Sequence, residues 1–165
     1  MSQRLIIKEV QRTPRNRRIF RAIARDNSGE SLEPAEDEQM FFGYGGGNAT
    51  EKNIHAIASI HLAHPTCPES DKAYYHWVTF MFVKKDFQCM GLGSELLDFL
   101  QNYAWKFKSH PIRVNAARKS IGFFLKNGFN EMGPQSECLC PGGGIFHFLQ
   151  LMEKAPPSNM VELWE

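Results

Sequence analysis

Val83-Lys-Lys-Asp-Phe-Gln88-Cys-Met-Gly91-Leu-Gly93-Ser-Glu-Leu-Leu97 runs from an apolar strand through a glycine-bearing turn into a helix. Glycines let a backbone approach a ligand closely, and the first N–H groups of a helix have no partner within it. Such a turn is suited to an anion, and phosphate fits the description. A Gly-x-Gly pair alone is weak evidence, since many unrelated loops carry one. The dinucleotide fingerprint needs a third glycine where Leu96 stands, and the Walker loop needs Gly-Lys-Ser/Thr where Gly93 is followed by Ser94. Both patterns fail, leaving Gln-x-x-Gly-x-Gly.

The flanking pattern sets the fold class. Upstream, Leu5–Val10 is β-branched and reads as a strand, and Thr13-Pro14 caps a helix expected to end near Arg25. Residues 27–39 read as a loop and the best place for disorder. Met40–Tyr44, Asn53–His64 and Tyr74–Val83 read as strands whose short connections require an antiparallel meander. Downstream, Leu96, Leu97, Leu100, Tyr103, Ala104 and Phe107 recur at helical spacing. Pro111–Asn115 is a brief strand. Ser120–Asn127 is a helix expected to turn Ile121, Phe124 and Leu125 inward, with Gly128 past its end. Phe129 opens another extended piece, Cys138–Gly144 is irregular, and Ile145–Met152 is a closing strand. This order predicts an α/β (α+β) fold, a central mixed, mostly antiparallel twisted sheet flanked by helices. Residues 1–154 are expected to be one domain and 155–165 a tail.

At 165 residues with 42% hydrophobic content, the chain can bury one substantial core. No apolar run approaches the roughly 18 residues of a membrane span, and the N-terminus lacks a secretory h-region. The expectation is an intracellular protein, cytoplasmic or nuclear, without a membrane partner. A net charge of +1 argues against nucleic acid. Cys67, Cys89, Cys138 and Cys140 show no metal-ligand spacing, so reduced thiols and no metal are expected. Residues 1–25 hold eight basic residues and one acid, whereas 26–38 hold six acids and no base. The basic helix is either a docking face for an acidic partner or a solvated face beside an acidic loop.

Gln88-Cys-Met-Gly91-Leu-Gly93, after an apolar strand and before Ser-Glu-Leu-Leu, resembles the acyl-CoA pyrophosphate loop of the GNAT N-acyltransferase superfamily. Ser120-Ile-Gly-Phe-Phe-Leu-Lys-Asn-Gly128-Phe129 resembles a second motif of that family, closest to its histone-acetyltransferase branch. The resemblance spans roughly Leu5–Met152. It implies an enzyme moving an acetyl group from acetyl-CoA to a primary amine (a protein lysine, a protein N-terminus or a small amine) by direct attack and without a metal. It implies that Gln88, Cys89, Met90, Gly91, Leu92, Gly93 and Ser94 hold the pyrophosphate, and that the backbone of Phe82 and Val83 pairs with the pantetheine arm. It further implies that Asn115 and Phe124 line the other side of the cofactor cleft, and that backbone N–H groups near Val83 polarise the thioester carbonyl.

The family pattern is broken at two positions. Phe124 stands where many members carry a tyrosine acid, and Trp77 where the histone-acetyltransferase branch carries a glutamate base. His76 is the substitute base considered first, although alternation along the strand should face it away from Trp77. His61 and His64 are weaker candidates, Thr79 is a polar neighbour, and Glu137, Cys138 and Cys140 fall in a loop near the expected acceptor site. Tyr74, Tyr75, Trp77 and Phe80 are either an acceptor wall or core, and Trp105 is packing. With both proton-transfer positions apolar, the competing expectation is a catalytically weak acyl-CoA-binding sensor or interaction module. The oligomeric state is not legible.

Overall fold

The computed structural model describes residues 4–64, 73–137 and 148–158, without the side chains of Ser136, Glu137 and Phe148. The chain forms two compact units, Met1–His61 with Val78–Asn102, and Leu62–Trp77 with Tyr103–Glu165.

In the first unit, strand β1 (Ile6–Val10) pairs antiparallel with β2 (Gln39–Tyr44), from Ile6 opposite Tyr44 to Val10 opposite Met40. Strand β2 pairs antiparallel with β3 (Ile54–His61), with a bulge between Gly43 and Tyr44. Strand β4 (His76–Val83) lies beside β3. At one end of that pair Lys84 N–H donates to His55 O at 2.8 Å, and at the other the Ser59 and Thr79 hydroxyls meet at 2.6 Å, so the two strands run in opposite directions. The meander is as expected. Met40, Phe41, Phe42 and Gly43 are all buried, as a strand covered on both faces requires.

Helix α1 (Pro14–Ser28) starts as the sequence indicates: the Thr13 hydroxyl accepts from Asn16 N–H, and proline opens the first turn. It runs past Arg25 to Gly29, whose φ of 84° makes the left-handed cap. Phe20, Ile23 and Ala24 are buried, and Phe20 meets Phe80 edge-on at 6.3 Å. Helix α2 (Leu92–Phe107) begins inside the Gly-Leu-Gly turn, two residues before the expected Ser94. Its Leu96, Leu97 and Leu100 are fully buried, and Phe99 packs edge-on against Phe41 at 5.7 Å.

The acidic segment after α1 is tied down. Glu33 receives Nε and Nη2 of Arg17 at 2.9 and 3.0 Å and Nη1 of Arg21 at 3.0 Å. Arg12 donates to the Pro34 and Ala35 carbonyls, Arg25 to the Ser31 hydroxyl, and Arg15 pairs with Glu51. Much of the basic face of α1 thus finds its acids and carbonyls within the same unit. This corrects the expectation of disorder and weakens the reading of a docking face.

In the second unit, strand β5 (Ile112–Ala117) pairs antiparallel with β8 (Phe148–Lys154), from Ile112 opposite Lys154 to Ala117 opposite Leu149. Strands β6 (Asn130–Glu131) and β7 (Ser136–Glu137) also pair antiparallel with β8. A 3-10 turn, Arg118–Ser120, leads into the short helix α3 (Ile121–Lys126). Gly128, at φ 92°, reverses the chain. Phe124 and Phe129 are buried edge-on at 5.3 Å, but Leu125, expected inward, is 47% exposed. The expected irregular segment Cys138–Gly144 and residues 145–147 of the closing strand lie outside the described residues. The α/β class and the mostly antiparallel sheet are those the sequence indicates. Among the described residues, no helix is long and apolar enough to cross a membrane.

Candidate functional site

The glycine turn is built from both sides. Before it, the 3-10 turn Lys85–Phe87 is clamped to β3: the Phe87 ring stacks on His55 with centroids 3.6 Å apart and planes 12° apart. A Cβ on Gly45 would run into the His55 ring, so glycine is needed there for the stack to form. Burial pushes the His55 imidazole below its ordinary value, and the nearby Lys84 charge adds to this.

Gln88 fixes the start of the turn. Its Nε2 donates to Val83 O at 2.9 Å and to Asn27 Oδ1 at 2.8 Å, stapling the loop to β4 and α1. The amide protons are thereby used within the protein, so Gln88 shapes the loop rather than offering its side chain to a ligand. Cys89 follows at φ 63°, a left-handed conformation costing roughly 1 kcal/mol in a non-glycine residue, and Gly91 is left-handed at φ 81°. Left-handed residues within a turn fold successive N–H groups into a concavity that receives anions. Cys89, Met90 and Gly91 are exposed, whereas Leu92 is buried and anchors the first turn of α2; Gly93 and Ser94 lie half-buried in it. The turn's capacity to receive an anion rests on this backbone and on the exposure of Cys89, Met90 and Gly91.

Of the other expected residues, Phe82 is buried and Val83 half-buried at the end of β4. They share the first unit with the loop. Asn115 and Phe124 belong to the second. Asn115 is exposed on β5, and Phe124 is 7% exposed between Phe123 and Phe129.

His76 is not placed to serve as a base. It is fully buried, Ala63 N–H donates to its Nδ1 at 2.9 Å, and its Nε2 therefore carries the hydrogen and donates to Lys108 O at 2.8 Å. Neither ring nitrogen is open to a substrate proton, because the imidazole ties two backbone segments together. Trp77 and Tyr75 are half-buried and attend Arg113, whose guanidinium lies 3.5 Å from the Tyr75 centroid and 5.9 Å from that of Trp77 while bonded to Glu153 at 2.8 Å. Trp105 is buried and donates to His110 O at 3.0 Å, as a packing residue would.

A proton-accepting group that the sequence does not reveal lies next to Thr79. The Thr79 hydroxyl donates to Glu38 Oε1 at 3.0 Å, so Ser59 donates to Thr79 at 2.6 Å. Ala35 N–H also donates to Glu38 Oε1, at 3.1 Å. One residue earlier, Asp37 Oδ2 stands 3.4 Å from Nδ1 of the buried His61. The acidic loop thus delivers two carboxylates to β3 and β4. The sequence signals are the hydroxyls Ser59 and Thr79, which with His55, His61 and His76 are the polar residues of these two largely apolar strands.

Residues 70–138 match the family model described as the acetyltransferase (GNAT) domain. No curated protein matches the sequence. Among solved structures the chain is similar to Ard1 from Thermoplasma volcanium (TM-score 0.70, 14% identity, 94% of this chain and 100% of that one). It is also similar to the ribosomal-protein-S18-alanine N-acetyltransferase from Escherichia coli (TM-score 0.67, 16% identity, 92% and 94%). A third is the NatC complex bound to Gag peptide and CoA (TM-score 0.67, 9% identity, 94% and 100%). At these identities the structural likeness speaks for the fold, and the family match speaks for the chemistry. The acetyltransferase (GNAT) match covers residues 70–138, less than half of the chain, and belongs to a domain class that takes acetyl-CoA as its co-substrate; the solved structures add the same fold over nearly the whole chain.

Proposed function

We propose that this chain transfers the acetyl group of acetyl-CoA to a primary amine, on a protein lysine, a protein N-terminus or a small molecule, by direct attack on the thioester. The observation that carries this reading is the turn Gln88–Ser94, with left-handed Cys89 and Gly91, opening a sixteen-residue helix beside the end of β4. In this reading the loop N–H groups receive the pyrophosphate, and the Phe82 and Val83 backbone receives the pantetheine arm. The Val83 N–H polarises the thioester carbonyl as charge develops on oxygen. Asn115 and Phe124 remain proposed cofactor contacts. The neutral amine forms the new C–N bond, the C–S bond breaks, and Glu38 takes the amine proton directly or through water. The departing thiolate is protonated from solvent. Glu38 fits this role because its carboxylate is held on Thr79, two residues along β4 from the Trp77 position where the family resemblance expects a base.

The second reading is an acyl-CoA-binding module without turnover, favoured by apolar Trp77 and Phe124 and by the fully bonded His76. Release of CoA thiol from acetyl-CoA, measured with lysine peptides, free-N-terminus peptides and polyamines as acceptors, separates the two. The proposal expects release that depends on one of these amines. Tight acetyl-CoA binding with no amine-dependent release by any of them would favour the module.

A further inference from the structure

Arg4 lies 91 residues from Glu95 in sequence, yet two hydrogen bonds join them and a third ties Glu95 to the neighbouring Leu5. Glu95 Oε1 accepts from the backbone N–H of Arg4 at 2.7 Å and of Leu5 at 3.1 Å, and Oε2 accepts from Arg4 Nε at 2.9 Å. A carboxylate in the first turn of a helix would by itself repel an anion at that helix start. Here it is neutralised by the guanidinium it positions.

The guanidinium is aimed at the turn. Its Nη2 would stand 2.7 Å from a Cβ built on Gly91, so only glycine lets it lie this close to the loop. With Nε given to Glu95, the Nη groups keep four N–H donors on the outer edge of the fork, and the side chain is 49% exposed. A half-exposed planar fork beside a left-handed glycine and a helix start is matched to a phosphate oxygen. The loop otherwise lacks a side-chain donor at its first position, because the Gln88 amide is spent on Val83 and Asn27.

We propose that Arg4 is a cofactor-binding residue that completes the loop by donating to a phosphate of the acyl-CoA, with Glu95 as its positioning residue. This rests on the assignment of Gln88–Ser94 to acyl-CoA. Arg4 supplies from the start of the chain the charge-assisted donor that the loop itself does not carry.

The test is calorimetric titration of wild type, Arg4→Ala and Arg4→Lys with acetyl-CoA, with its 3′-dephospho form and with S-acetylpantetheine, which has no phosphate. Arg4→Ala should bind acetyl-CoA about tenfold more weakly than wild type and bind acetylpantetheine equally well. A loss shared by the dephospho form places Arg4 on the pyrophosphate, and a loss confined to acetyl-CoA places it on the 3′-phosphate. Thermal melting first establishes that each variant folds. If Arg4→Ala does not, Arg4→Lys, which keeps the charge but not the fork, is read in its place and must also weaken acetyl-CoA binding. Unchanged affinity for acetyl-CoA, or an equal loss for acetylpantetheine, would overturn the role of Arg4 while leaving the loop assignment standing. Wild type that binds none of the three would overturn both.

Discussion

The Thr79 hydroxyl donates to Glu38 Oε1 at 3.0 Å across 41 residues of sequence, bringing a carboxylate from the α1–β2 connection onto strand β4. If Glu38 accepts the amine proton, Glu38→Gln keeps the shape and the hydrogen bond from Thr79 but removes the base. The expected result is a fall in kcat of about a hundredfold with affinity for acetyl-CoA unchanged. Thr79→Val should cost less, since it misplaces the carboxylate without deleting it. Steady-state kinetics with a saturating amine check both.

His55 holds the turn that leads into the Gln88–Ser94 loop, and its titration sets a pH dependence. Burial depresses the imidazole, so the folded protein resists protonation that the unfolded chain accepts near its ordinary value of 6.5. Stability is full above that value and declines as pH falls from it toward the lower folded-state value. Melting temperatures of wild type should fall between pH 7 and 5.5 more steeply than those of His55→Phe, which retains an aromatic ring against Phe87 and cannot titrate.

Glu33 behaves in the same direction for a different reason. The hydrogen bond from Arg17, with the charges of Arg17 and Arg21, holds its carboxyl down to about 2 from an ordinary 4.5. That contribution is present above pH 4.5 and lost as pH falls toward 2. The group is partly open to solvent, so the stabilisation is discounted for screening. Glu33→Gln should lower the melting temperature at pH 7 by about 2–4 °C, with the gap closing as the pH approaches 2.

How much of this could be read in the sequence follows from how local each feature is. The Thr13-Pro14 cap, the helical spacing of Leu96, Leu97 and Leu100, and the strand-to-helix passage at Gly91 depend on neighbours within a few residues. All are in the structure close to where the pattern puts them. The helix ends shift by two or three residues: the Ser28 hydroxyl donates to Ala24 O in the last turn of α1, and Leu92 is buried at the first position of α2. Leu125 faces outward because α3 is only six residues long and its buried stripe narrows to Phe124. The links from Arg4 to Glu95, Glu38 to Thr79 and Gln88 to Asn27 join residues distant in sequence, and no spacing rule announces them. His76 shows the converse, since its residue type suggests chemistry and its two backbone partners assign it to structure.

That assignment of His76 is itself testable. His76→Phe leaves Ala63 N–H and Lys108 O without their side-chain partner in a buried site. The cost should be about 2 kcal/mol or more, seen as a lower denaturant midpoint. Turnover per folded molecule should stay near wild type; a kcat loss of a hundredfold in folded protein would return His76 to the reaction.

The central claim is that Gln88–Ser94 is where acetyl-CoA is held. Isothermal titration of acetyl-CoA into wild type and Gly91→Glu tests it most directly, with a melting curve to establish that the variant is folded. A carboxylate there meets the Arg4 guanidinium, strains a left-handed position and sets a negative charge where the proposal puts the phosphate. The account predicts saturable binding by wild type and none by the folded variant. Wild type that does not bind, or a variant that binds as well as wild type, would contradict it.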